Sequence, residues 1–378
     1  MKKIVFVLTS RGNYAKLKNL IKIFLASKKY RVHIIIGGSL VLDKYSKIIQ
    51  KELIKNFKFK ESIFFHVEGE NNLTMIKSCA LALNELGIIF NKIRPNFVFV
   101  LADRFETISI AIAASFLNIK LIHIEGGENS GSIDDKIRNA VSNFSDYHFP
   151  CTNQSAKRLI NMGFMKSKVL NVGATSFDEF VKLDLNDISF FNSIQKTTGV
   201  GKKIHLKKKQ YLIIVQHPVT TEYEENLKNI NKTISAIQKL KFPMIWLWPN
   251  MDAGSDGTSK GIRTFREKVN PDNIHFFKSL SIEYFAPLLK NSCCIVGNSS
   301  TGLREASFLG VPCVNIGTRQ INREQARNVI NVDYDAEEIY QAIKKQIRKK
   351  TTQISKLYGD GKASQKIFNF IENKLDDG

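Results

Sequence analysis

Short, nearly uninterrupted apolar runs recur along the chain, each followed by a turn and then by apolar residues at helical spacing. Runs of that kind read as strands buried on both faces. Strands that alternate with helices lie parallel, with the helices packed on the two sides of the sheet. In the first half the strand runs are 3–9, 31–37, 96–102, 120–125, 146–150 and 168–173, with helical patterns over 15–26, 40–54, 73–92 and 105–117. The rhythm lapses across the polar, lysine-rich stretch 174–208. It resumes with strands at 211–216, 244–248, 275–277, 293–297 and 311–317, and helices over 222–240, 281–290, from Ser300, 336–347 and 363–374. At 378 residues the chain exceeds what one ordinary core accommodates. The expectation is two Rossmann-like halves with a cleft between them: residues 1–178 completed by a C-terminal helix 363–378, and residues 179–362.

Lys and Arg together number 56 against 35 Asp and Glu, a net charge of +21. That balance suits an anionic partner, whether nucleic acid, membrane or acidic metabolite. The lysines are scattered over helices, with local runs only at 202–209 and 344–350, which reads as a solvated face. Five cysteines, an odd number without a CxxC pair, point to buried thiols in a reducing compartment and indicate no zinc site. The N-terminal apolar run is too short for a signal segment, and no stretch is read as approaching the roughly 18 apolar residues of a membrane span. A soluble, cytoplasmic protein is expected, with no membrane and no nucleic-acid partner.

Residues 120–140 concentrate the candidate chemistry. A strand runs into Glu125-Gly126-Gly127-Glu128, and Ile133-Asp134-Asp135 then opens a helix. In an open α/β sheet ligands sit outside the carboxyl ends of the strands. Carboxylates gathered there can have their pKa values pushed apart and serve as acid and base. Asp134 as a helix cap, with solvated Glu125 and Glu128, is the bland alternative. Arg11 stands on the turn after the first strand, Asp103-Arg104 follow the strand 96–102, and His217 ends the strand 211–216. Gly297-Asn298-Ser299-Ser300 precede a helix whose free N–H groups and dipole suit a phosphate, with Glu305 one turn in and Arg319 after the next strand. The first turn lacks GxGxxG, so a dinucleotide is not indicated.

The blocks HIEGGENSGSIDDKIRNA, VQHPVTTEY, WPNMDAGS, VGNSSTGLREA, VNIGTRQINREQARNVINV and KLYGDG stand in this order over nearly the whole chain. Together they resemble the hydrolysing UDP-N-acetylglucosamine 2-epimerases, which form N-acetylmannosamine for sialic acid synthesis. The resemblance implies a GT-B fold with UDP held mainly by the C-terminal half. It implies that Asp103, Glu125 and Asp134 are the catalytic carboxylates and that His217 lies near the diphosphate and the reacting sugar. Arg11, Arg104, Asn250, Ser299, Ser300, Glu305 and Arg319 match nucleotide-sugar contacts, with Leu280 against the uracil. It implies a UDP-sugar as partner, no metal and no cofactor, and a homodimer or homotetramer. The family usually has Asp where this chain has Asn13, Gly where it has Ala102, and His where it has Asn139. A close branch acts on the diacetamido, 6-deoxy sugar nucleotide UDP-N,N'-diacetylbacillosamine, for legionaminic acid, and that substrate stays open. So do a GT-B glycosyltransferase, which would need an acceptor groove, and a basic nucleic-acid-binding protein.

Overall fold

The apolar runs assemble into two sheets, one in each of two units. A computed structural model describes residues 1–42, 57, 59–69, 71–131, 133–250 and 254–376. The first unit comprises Met1–Asn129, Ile133–Glu179 and Gly359–Gly378, and the second Ser130–Ser132 and Phe180–Tyr358.

The first sheet is built from β1 (Lys2–Leu8), β2 (Tyr30–Ile36), β3 (Phe59–Ser62), β4 (Phe97–Leu101), β5 (Lys120–Ile124) and β6 (Tyr147–Phe149), in the order β3-β2-β1-β4-β5-β6 and parallel throughout. Alternate side chains of each strand enter different cores, as the period of two requires. Ile4, Phe6, Leu8, Phe97, Phe99 and Leu101 pack with α1 (Arg11–Ala26) and α14 (Ala363–Asp376). The Phe6 and Phe99 rings stack at 4.5 Å. Val5, Val7, Val98 and Val100 pack on the other face with α2 (Asn72–Ile93) and α3 (Thr107–Phe116). In β1 and β4 the phenylalanines therefore sit on one side of the sheet and the valines on the other. Asp178 ties the C-terminal helix in place: its carboxylate accepts the Ala363 and Ser364 N–H groups at 2.9 and 2.6 Å, where a helix start leaves donors unpaired.

The second sheet runs β13-β12-β11-β8-β9-β10-β7. Its strands are β7 (Gly199–Gly201), β8 (Leu212–Val215), β9 (Met244–Leu247), β10 (Ile274–Phe277), β11 (Cys294–Gly297), β12 (Cys313–Ile316) and β13 (Val329–Val332). Only the edge strand β7 pairs antiparallel, with β10. Trp246, Ile214 and Val296 pack on one face against α8 (Asn226–Gln238), α9 (Ser255–Val269) and α13 (Ala336–Lys349), and Ile213, Ile245 and Ile295 point into the core on the other face. In each sheet the strand order reverses between two neighbours, β1 and β4 in the first and β8 and β11 in the second. Ligands of such sheets sit at these switch points.

The structure differs from the sequence reading in several places. Segment 168–173 is not a full strand. Leu170 and Val172 donate to the His148 and Pro150 carbonyls, only the His148–Val169 bridge forms, and Gly173 then turns at φ +87°. The strands β3, β7 and β13 were not anticipated. All three are short edge strands whose polar or glycine content hides the usual pattern. Helix α9 was also not anticipated, since Gly257 and Gly261 dilute its period. A Cβ on Gly261 would stand 2.5 Å from Ile230, so the glycine lets α9 and α8 approach. The helical pattern at 40–54 falls mostly outside the described residues, and Gly38–Val41 forms a 3-10 turn. The helix expected from Ser300 breaks at Arg304 into α11 (Ser300–Leu303) and α12 (Glu305–Leu309). Finally, α2 is long and apolar enough to cross a membrane by length and composition alone, with a mean hydropathy of 1.5. Its Ala82, Leu86, Phe90 and Ile93 are core residues of the first unit. The few charges spaced along it, Lys77, Glu85 and Lys92, masked this in the sequence.

Candidate active site

In the first unit the expected residues follow the carboxyl ends of three adjacent strands. Arg11 opens α1 after β1, beyond the N-cap Ser10, whose hydroxyl accepts the Asn13 N–H at 3.2 Å. Asp103 and Arg104 follow β4, Glu125 follows β5, and Asp134 is the first residue of α4 (Asp134–Asn143). Asp134 is not the helix cap: that position is Ile133, which makes no side-chain capping bond. Two of these turns are strained, because Ala102 and Glu125 have φ of +59° and +66°. A residue with a Cβ pays about 1–2 kcal/mol for that region. The strain at 102 gives a physical reason for the glycine that the resemblance expects there.

Two cations absent from the sequence reading, Arg138 and Lys16, hold the carboxylates, and His123 braces the turn beside them. Arg138, 1% exposed, pairs with Asp103 and Asp135 and donates to the Glu128 carbonyl at 2.7 Å. Lys16, one turn beyond Arg11, pairs with Glu125 at 2.8 Å, and Glu125 is 2% exposed. His123 in β5 joins the Ala102 turn to the helix Asp134–Asn143, with Nε2 2.9 Å from the Ala102 carbonyl and Nδ1 3.0 Å from the Ser142 hydroxyl. A carbonyl only accepts, so Nε2 carries the proton and Nδ1 accepts from Ser142. Arg104 turns to the buried Glu106 at 2.9 Å. Asn13 is buried and its Oδ1 accepts no hydrogen bond from the described residues. Asn139 lines a cavity of about 390 Å³ with Glu128, Asp135 and Arg158.

Burial pushes His123 down to about 4 and its cross-strand neighbour His148 down to about 3. Neither ring nitrogen of His148 has a hydrogen-bonding partner among the described residues. Both pKa values are lower in the folded chain than in the unfolded one, near 6.5. The stability linked to the neutral rings is therefore complete above pH ~6.5 and drains away as pH falls toward 4. Each ring loses about 1.4 kcal/mol per pH unit in that window, so the pair loses on the order of 5 kcal/mol by pH ~4.5. Thermal unfolding midpoints should drop steeply between pH 6.5 and 4.5, and less steeply for His148→Asn. Parallel slopes for the two proteins would contradict this.

In the second unit the expected residues again follow strand ends: His217 after β8, Asn250 after β9, Leu280 after β10, Ser299 and Ser300 after β11, and Arg319 after β12. Asn250 donates its backbone N–H to His217 Nδ1 at 3.1 Å, so the neutral ring carries its proton on Nε2. Asn298 makes the connections between loops. Its Oδ1 accepts the His217 N–H at 2.7 Å, its Nδ2 donates to the His217 carbonyl at 2.9 Å, and its own carbonyl accepts from Arg319 Nη1 at 3.3 Å. The Ser299 hydroxyl accepts the Thr301 N–H at 3.4 Å, and Ser300 opens α11. Glu305, 7% exposed, opens α12, and Leu280 lies half-buried against the core. Arg138, Lys16, His123 and Asn298 were not picked out by sequence. The signal for Arg138 was its place one helical turn after Asp134, and for Asn298 its place between a strand-ending glycine and two serines.

A family model described as UDP-N-acetylglucosamine 2-epimerase matches residues 24–372. A hydrolysing UDP-N,N'-diacetylbacillosamine 2-epimerase of Legionella pneumophila is 29% identical, over 98% of this chain and 96% of its own. A UDP-N-acetylglucosamine 2-epimerase of Neisseria meningitidis is 28% identical, over 91% and 87%. Among solved structures, the Methanocaldococcus jannaschii UDP-GlcNAc 2-epimerase in complex with UDP-GlcNAc and UDP superposes with a TM-score of 0.80 at 20% identity, over 98% of this chain and 99% of that one. The likeness carries the fold, a GT-B type of two Rossmann-like domains.

Proposed function

The chain belongs to the UDP-N-acetylglucosamine 2-epimerase family, and from that premise we propose that it is a hydrolysing 2-epimerase, converting UDP-GlcNAc and water to N-acetylmannosamine and UDP. The observation that carries this reading is the set of carboxylates at the ends of adjacent strands: Asp103 after β4, Glu125 after β5, and Asp134 opening the next helix. Hydrogen on C2 of the sugar is not acidic, so a carboxylate must be held against it while UDP departs from C1. The C2–H and C1–O bonds break, the electrons form the C1=C2 double bond of a 2-acetamidoglucal, and UDP leaves with the C1 oxygen. Water then supplies hydroxide to C1, and a proton returns to C2 from the opposite face.

In this reading the second unit holds the nucleotide. Arg319, His217 with its proton on Nε2, and the Ser299–Ser300 turn stabilise the charge growing on the leaving diphosphate. Glu305 accepts ribose hydroxyls, Leu280 lies against the uracil, and Arg11, Arg104 and Asn250 contact the sugar nucleotide. A second reading, the same reaction on UDP-N,N'-diacetylbacillosamine, draws support from a relative of that name at essentially the same identity. The neutral Asn13, where the resemblance expects Asp, bears on the same choice. The purified protein should be offered both sugar nucleotides, with no acceptor present. Faster release of UDP and a free 2-epimerised sugar from UDP-GlcNAc is expected. Preference for the diacetamido substrate would transfer the assignment to the second reading, and no UDP release from either would remove both.

A further inference from the structure

Asn298 is completely buried at the switch point of the second sheet, where the loops after β8, β11 and β12 meet. Gly297 before it has φ +131°, and a Cβ there would stand 2.1 Å from the Val215 carbonyl oxygen. That glycine lets the end of β11 press against the end of β8, where the Asn298 N–H donates to the Val215 carbonyl at 3.1 Å. The Asn298 amide then clasps both sides of one residue, accepting the His217 N–H and donating to the His217 carbonyl. The ladder ends at Val215 and Pro218 after His217 offers no N–H, so the clasp supplies the backbone hydrogen bonds of His217. On its other side the Asn298 carbonyl accepts from Arg319 Nη1 and Gln320 Nε2, both at 3.3 Å.

From this geometry we propose that Asn298 is the positioning residue of the nucleotide half: it fixes the backbone of His217 and the head of Arg319 together, and so sets where their donors meet the diphosphate. The proposal rests on the function proposed above for those two residues. Only a primary amide answers the geometry. Aspartate keeps the acceptor for the His217 N–H but loses the donor to the His217 carbonyl and buries a charge. Serine is too short to span both groups. Asn298 itself need touch no substrate: its backbone carbonyl, which a substitution keeps, serves Arg319, so the effect of changing its side chain should pass through His217.

A double-mutant cycle tests that dependence. Asn298→Asp, Asn298→Ser, His217→Asn and the two double variants are compared for kcat, KM and UDP affinity, with folding checked by circular dichroism. Asn298→Asp and Asn298→Ser should each lower kcat by about 10²-fold, as loss of a placed charge-stabilising donor does. With His217→Asn already present, changing Asn298 should lower kcat by no more than a few-fold further. Losses that multiply in the double variants, or near-normal turnover in both single variants, would overturn the proposal. Should the Asn298 variants not fold, nitrogen-15 spectra of the wild-type histidines decide. With the His217 backbone held by the clasp, the ring receives the Asn250 N–H on Nδ1 and must carry its proton on Nε2, and a proton on Nδ1 would overturn the proposal. Should the wild type release no UDP, the functional reading fails separately, and the same cycle on UDP affinity still tests Asn298.

Discussion

Asp103→Asn, Glu125→Gln and Asp134→Asn should each lower turnover by about 10²-fold or more while UDP affinity stays within a few-fold of wild type. The three carboxylates belong to the first unit, whereas the serine turn and the His217–Asn298 network belong to the second, so the nucleotide should still bind. Their surroundings differ, and that sets the side effects. Glu125→Gln strands Lys16 without its partner, and Asp103→Asn takes a carboxylate from the buried Arg138, so both should also lose stability. Asp134 is half-buried at a helix start, and its amide should be the mildest of the three for folding. Ser300→Ala is the contrasting case, weakening UDP itself. Steady-state turnover and calorimetric UDP titration on the same preparations read both halves. Normal turnover in all three variants would make the carboxylates structural.

Arg138→Met should destabilise the first unit by about 3–5 kcal/mol, the range for breaking a buried ion pair by removing one partner. The methionine fills much of the arginine's volume but leaves Asp103 and Asp135 without their shared cation and the buried Glu128 carbonyl without its donor. Whatever enzyme remains folded should be slow, because Asp103 loses the group that orients it. Arg138→Lys should recover part of the stability and less of the rate, since an ammonium cannot fork to two carboxylates and a carbonyl as a guanidinium does. Chemical denaturation with turnover in parallel measures both. A lysine variant with full activity would show that charge alone, not the forked geometry, is what Asp103 needs.

The parallel architecture was legible because buried parallel strands are short apolar runs, and β1, β4, β5, β8 and β11 each announced themselves that way. The edge strands β3 and β13 were not, because an edge strand's partners, not its composition, make it a strand. The candidate residues were legible wherever a charged or hydroxyl side chain follows a strand directly, as Asp103, Glu125, His217 and Ser299 do. What holds them was hidden. Arg138 reads as an ordinary helix cation, and only the fold carries it into the core beside Asp103. His123 reads as one more residue of an apolar strand, although its ring bridges the Ala102 turn to α4. Asn298 reads as part of a phosphate-type loop, although its amide is spent on His217. Roles that depend on a partner distant in sequence leave no local pattern.

The central claim, chemistry at C2 of the sugar with departure of UDP from C1, is tested most directly by isotope incorporation at a single early time point. In D₂O the free sugar should carry one deuterium, at C2, with the manno configuration. In H₂¹⁸O the label should enter C1 of the sugar, sampled before its anomeric oxygen exchanges, and UDP should remain unlabelled. Released sugar with ordinary hydrogen at C2 and the gluco configuration, or ¹⁸O on the phosphate, would contradict the account.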